Sequence, residues 1–144
     1  MRKRRIAAAI AATAGAFMLF STQASAITWE KDFATGLSPS SSGSAVWSYS
    51  PNEDASAAFQ ENGDWFFVSD NRADGFSGVA EWYLYNPSGT LVRGGTVWMS
   101  LGAGESRWQN KDFAEGYKLK FRACRGHSDG TYLEHCDSWV TTTA

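Results

Sequence analysis

Alternation with a period of two is the feature that most narrows what this chain can fold into. Tyr117, Leu119, Phe121 and Ala123 alternate with Lys118, Lys120, Arg122 and Cys124, as in a strand with one buried face. Val79 to Tyr85 repeats the pattern, with Ala80, Trp82 and Leu84 set against Glu81, Tyr83 and Tyr85. Asn62-Gly63 parts Ala57–Glu61 from Asp64–Asp70, a hairpin signal because both residue types accept positive φ. Asp74-Gly75, Asn86-Pro87-Ser88-Gly89 and Gly94-Gly95 read as further turns. Thr96–Leu101, Trp108–Phe113 and a last strand from Tyr132 to about Thr141 bring the count to eight or nine short strands. No segment after residue 26 carries a helical stripe. The expectation is an all-β, single-domain antiparallel β-sandwich, immunoglobulin-like in type, although a closed barrel would show the same pattern.

The first 26 residues read differently. Arg2, Lys3, Arg4 and Arg5 precede an apolar run from Ile6 to Phe20, and Ala24-Ser25-Ala26 has the small-x-small form that signal peptidase cleaves after. Fifteen apolar residues are too few for a stable bilayer span, and no later segment replaces them. The expectation is a cleaved signal peptide over 1–26, a secreted product and no membrane partner. Without the four leader cations, nine basic residues stand against fifteen acidic ones, a charge of −6. That balance offers no electrostatic footprint for nucleic acid. All seven tryptophans lie after the leader, which argues against disorder.

Cys124 and Cys136 are the only cysteines, and an oxidising compartment pairs them. The intervening segment, with Gly126 and Gly130, reads as a hairpin clamped near its base; closing such a loop is worth roughly 2.5–3 kcal/mol. His127 and His135 in the same loop raise zinc as the competing idea, but the spacings do not match common ligand sets. No cofactor or metal is expected.

Ile27, Trp29 and Phe33 alternate with Thr28, Glu30 and Asp32, so residues 27–35 form a strand-competent peptide. Residues 36–44, Gly-Leu-Ser-Pro-Ser-Ser-Ser-Gly-Ser, are a flexible linker by composition, and a coil of that length spans about 15–18 Å. The domain proper is then 45–144. Two readings of the peptide stand open: an edge strand on its own sheet, or a strand lent to a partner through Ile27, Trp29, Lys31 and Phe33.

Other candidates are weaker. Asp70-Asn71-Arg72-Ala73-Asp74-Gly75 resembles part of a calcium loop, but Arg72 stands where a ligand oxygen is needed, and a turn explains it better. Tyr83 and Tyr85 on the polar face of their strand suit stacking on sugar rings or a partner surface. Lys118, Lys120 and Arg122 make a basic stripe, ordinarily a solvated face and otherwise a place for an acidic partner. His127, Ser128 and Asp129 include triad residue types, yet neighbours in sequence do not converge as nucleophile, base and orienter. With no nucleophile elbow, zinc-protease or phosphate-loop motif, a non-enzymatic role is the expectation.

Gly63-Asp64, Asp70 to Gly75, Gly102-Ala103-Gly104, Glu115-Gly116 and Cys124 with Cys136 and Trp139 give residues 55–144 a resemblance to a family of small secreted actinobacterial β-sandwich proteins. Among these the chain resembles the adaptor subunits of umbrella toxin particles. The resemblance implies a non-catalytic connector between a lectin subunit and a repeat-bearing toxin polypeptide, acting in competition between bacteria. Ile27–Phe33 would meet the repeats and the globular body the lectin. Against this stand a free-standing carbohydrate- or cell-wall-binding module using Tyr83 and Tyr85, and a protease inhibitor presenting the Cys124–Cys136 loop with Arg125 as bait.

Overall fold

The computed structural model describes residues 26–127, 129–130 and 132–144. The expected leader lies outside them, apart from Ala26. The chain is all-β, with two sheets facing each other across one core. Its strands are β1 (Thr28–Phe33), β2 (Ala45–Tyr49), β3 (Ala55–Gln60), β4 (Trp65–Asp70), β5 (Phe76–Tyr85), β6 (Leu91–Met99), β7 (Ser106–Asn110), β8 (Lys118–His127), β9 (Leu133–Glu134) and β10 (Val140–Thr143). One sheet runs β1-β6-β5-β8-β10, with β9 also pairing β8; the other runs β2-β3-β4-β7. Every pair is antiparallel except β1 on β6, which is parallel.

Alternation decides what is buried. Ala80, Trp82 and Leu84 of β5 and Leu119, Phe121 and Ala123 of β8 are fully enclosed, facing Ala57, Phe59, Phe66 and Val68 of the four-stranded sheet. Phe66 meets Phe121 edge-on at 5.8 Å and Trp82 at 6.3 Å, and Phe113 closes the layer 5.0 Å from Trp82. Interlocked aromatics of this kind each remove a large apolar area from water and favour such tilted and edge-on contacts.

Three local expectations change. The turn between β3 and β4 spans four residues, Glu61 to Asp64, because Gln60 pairs Trp65. Positive φ falls on Gly63 and Asp64 rather than on Asn62. Gly94-Gly95 is no turn: both glycines lie inside β6. A Cβ on Gly95 would sit 2.4 Å from the Glu30 carbonyl oxygen, so glycine is what lets β1 approach. The last strand is broken into β9 and β10, since Cys136 is drawn onto Cys124 between them. That disulfide lies within one sheet, not across two as in antibody domains. It clamps the base of the β8–β9 hairpin, whose register pairs Arg125 with Glu134.

The connection over 36–44 is not a loose tether. Gly36 bridges Trp108 through main-chain bonds in both directions. Farther on, Gln60 Nε2 donates to the Ser41 carbonyl and hydroxyl, Asn62 Nδ2 donates to the Ser42 carbonyl, and the Ser41 hydroxyl donates to the Asn62 carbonyl. Composition predicts freedom here, but the serines find fixed partners on the β3–β4 turn.

Candidate binding faces

The N-terminal strand takes the edge-strand seat on its own sheet, and its polarity there is inverted. Glu30 and Asp32 point into the sandwich while Trp29, Lys31 and Phe33 point out. Inside, the buried Lys111 ammonium lies 2.5 Å from Glu30 Oε2 and 2.6 Å from Asp32 Oδ2. Arg93 forms a two-point contact with Glu30 and donates to the Asp112 carbonyl. Both cations also lie over aromatic rings: Lys111 is 4.9 Å from the Trp82 centroid and Arg93 4.9 Å from that of Phe113. Burial opposes the charged form of Glu30, but hydrogen bonds from Arg93 and Lys111, with their charges, outweigh it and hold its pKa below the usual range. An ionic clamp therefore seats β1, and its apolar side chains are left to solvent.

Outside, Trp29 stands in register with Gly94 and Tyr83. Tyr83 is flanked by Trp29 at 5.7 Å and Trp139 at 5.0 Å. Arg122 lies over Trp139 and pairs with Glu81, which accepts from the Tyr83 hydroxyl. Trp29 remains 55% exposed, Phe33 49% and Trp139 38%. Tyr83 is thus the enclosed middle of a row whose open members are the two tryptophans. Lys31 lies over Trp98. Tyr85 stands apart at the end of β5, beside Lys120.

The opposite face carries a second row that the alternation argument passed over. Trp47, Ala58, Phe67 and Trp108 are mutual partners across β2, β3, β4 and β7. Phe67 lies 5.3 Å from Trp47 and 5.2 Å from Trp108, and Tyr49 stacks on Trp47. The neighbouring row, Tyr49-Ser56-Ser69-Ser106, is mostly hydroxyl. Trp47-x-Tyr49 and Trp65-x-Phe67 carried the signal. The unbroken apolar run Trp65-Phe66-Phe67-Val68 hid it, because that strand is apolar on both faces.

The remaining candidates resolve into structure. Asp70 and Asp74 accept from the amides two residues on, Arg72 and Phe76, the local bonding of a turn. Burial pushes the Asp70 pKa up, against the Arg72 amide and with help from Asp74. The protein's own side chains occupy this corner: Arg72 and Arg125 pair with Asp54, Arg125 also with Asp74 and Glu134, and His135 Nδ1 lies 3.1 Å from Asp54 Oδ2. Arg125 is held by three carboxylates and is not presented as bait. Cys124 and Cys136, which lie near Glu81, are spent on each other and offer no thiolate. His127 pairs with Asp129 and stacks on Tyr132, and Ser128 lies outside the described residues.

Asp137 ties the disulfide region to the other sheet. Its Oδ2 accepts from the Ser48 hydroxyl and the Tyr49 amide, and the Ser48 oxygen accepts from the Ala123 amide. Burial opposes its charge, but these bonds and those from Ser138 keep its pKa below the usual range.

Among the described residues no helix is long and apolar enough to cross a membrane. No family model, curated protein or solved structure matches the chain.

Proposed function

We propose that the protein is a secreted, non-catalytic adaptor that binds two protein partners on opposite faces of its sandwich. The observation that carries this reading is the pair of contiguous aromatic rows, Trp29–Tyr83–Trp139 in ring contact on one face and Trp47–Phe67–Trp108 in strand register on the other. Scattered exposed aromatics need no explanation, whereas contiguous exposed patches mark interaction sites. Tryptophan and tyrosine are the residues through which interfaces gain most of their binding energy. The leader-like start and the disulfide suit an oxidising, extracellular setting.

The family resemblance supplies the partners: a repeat-bearing toxin polypeptide and a lectin subunit. The first goes to the β1 face, where β1 is the outermost strand and leaves one main-chain edge open for strand addition beside Trp29 and Phe33. The lectin subunit goes to the Trp47–Trp108 face. Tyr83 is a poor free-standing sugar platform, because tryptophans flank it on both sides.

The test is native mass spectrometry on tagged protein purified gently from the producing organism's culture supernatant. Wild type is expected in a complex of three polypeptides. Trp29→Ser with Trp139→Ser should lose one partner, Trp47→Ser with Trp108→Ser the other, and the released proteins should keep their β circular dichroism. A clean wild-type monomer, or loss of both partners from either pair, overturns the proposal.

A further inference from the structure

Every arginine among the described residues is paired with a carboxylate, and Lys111 is paired with two. Among the described residues three lysines have no carboxylate partner within 4 Å: Lys31, which lies over Trp98, and Lys118 and Lys120. These last two alternate on one face of β8 and both line a cleft of about 400 Å³ at the end of the six-stranded sheet. Tyr85, Asn86, Pro87, Gly89, Gly116 and Thr143 complete the lining, and none of the lining residues is acidic. The two charged side chains of the lining are both cations. Asn86 Oδ1 is already taken by the Thr90 amide and the Ser88 hydroxyl, which turns its amide nitrogen into the free end. Thr143 spends its hydroxyl on Glu61.

We infer that this cleft binds a carboxylate-bearing saccharide, a uronic acid residue at the end of or within a glycan. Two neighbouring ammonium groups without a counter-charge repel each other and find relief in a bound anion. The volume lies at the small end for ligand pockets and suits one or two sugar rings. The Tyr85 ring and Pro87 provide apolar walls beside the cations, the mixture that orients a sugar acid. A concave pocket favours a compact ring over the extended backbone of an acidic peptide. The inference is independent of the adaptor reading: neither aromatic row contributes a residue to the cleft.

The probe is trigalacturonate, followed by amide chemical-shift titration of the labelled protein. Its methyl ester serves as the uncharged control and triglutamate as the peptide control. Shifts are expected at Tyr85, Asn86, Lys118 and Lys120, with affinity falling as salt rises. The ester, Lys118→Gln and Lys120→Gln should each bind about tenfold more weakly, as losing one charge-assisted bond implies. Equal binding of acid and ester, binding indifferent to both substitutions, or no shifts at millimolar trigalacturonate overturns the site. Tighter binding of triglutamate overturns the saccharide assignment.

Discussion

Replacing Lys111 with methionine tests the claim that charge seats the N-terminal strand. Methionine keeps the stem that packs beside Trp82 but removes the ammonium held between Glu30 and Asp32. Glu30 keeps Arg93, while Asp32 has no other ionic partner among the described residues. Removing one member of a fully buried pair costs about 3–5 kcal/mol. The two carboxylates are 21% and 32% exposed, so water compensates in part and the expected loss is about 2–3 kcal/mol. For a domain of this size each kcal/mol moves Tm by about 3–5 °C, giving a fall of roughly 6–15 °C. Urea unfolding and calorimetry measure the total. Amide exchange locates it: Thr28 to Phe33 should lose protection well ahead of Leu119 to Ala123. Asp32→Asn in the same background should cost less than it does alone, by about 1 kcal/mol of coupling. A loss within about 0.5 kcal/mol, the range of ordinary surface changes, would refute the clamp. So would loosening spread evenly over β5 and β8.

Three further outcomes follow from the same contacts. Converting Cys124 and Cys136 to serine should cost about 3 kcal/mol in urea melts, because their bond closes a short loop in the unfolded chain. Gly95→Ala should cost about 1–3 kcal/mol and raise exchange in β1, since its Cβ would meet the Glu30 carbonyl. The pH dependence should be two-sided. Glu30 and Asp137, with lowered folded pKa values, contribute stability that is complete above about pH 4 and lost as pH falls through those values. Burial pushes the Asp64 pKa up, against the Phe113 amide and with the charges of Glu115 and Asp112. Its contribution has the opposite sign, present at low pH and lost as pH rises through the folded value. Urea melts across the acid range should therefore show Glu30→Gln flattening the acid loss and Asp64→Asn flattening the fall on the neutral side.

Strands were legible in the sequence where one face alone is buried. Ala80-x-Trp82-x-Leu84 and Leu119-x-Phe121-x-Ala123 name the core directly, because their alternate residues are polar or amphipathic. Alternation fails on β4, where Phe66 and Val68 fill the core and Trp65 and Phe67 cover the outer face, so the period vanishes. It also fails on Gly94-Gly95, since the composition that permits a turn equally permits two backbones to approach. In β1 the alternation identifies which residues share a face but not which face turns inward. That choice depends on Lys111, about eighty positions along the chain. The Lys118–Lys120 stripe was visible, but its lack of carboxylate partners is a property of the fold.

The inversion of β1 also bears on what opposes self-association in a protein with two exposed aromatic faces. An edge strand with apolar side chains turned outward invites pairing with another copy of itself. Here the acidic side chains that would ordinarily guard such an edge are consumed inside by Arg93 and Lys111. What opposes such pairing instead is Lys31, set between Trp29 and Phe33 on the open face, together with the acidic excess of residues 27–144, nine basic against fifteen acidic side chains. Because every arginine among the described residues is engaged within the chain, the aromatic rows contribute surface rather than attraction of opposite charge. For the proposed adaptor, recognition on both faces would then rest on apolar burial and shape, with Trp47, Phe67 and Trp108 held at fixed spacing by sheet register. Rings already ordered lose little entropy on binding, so a rigid sandwich with two such rows suits a connector that must hold two partners in a set geometry.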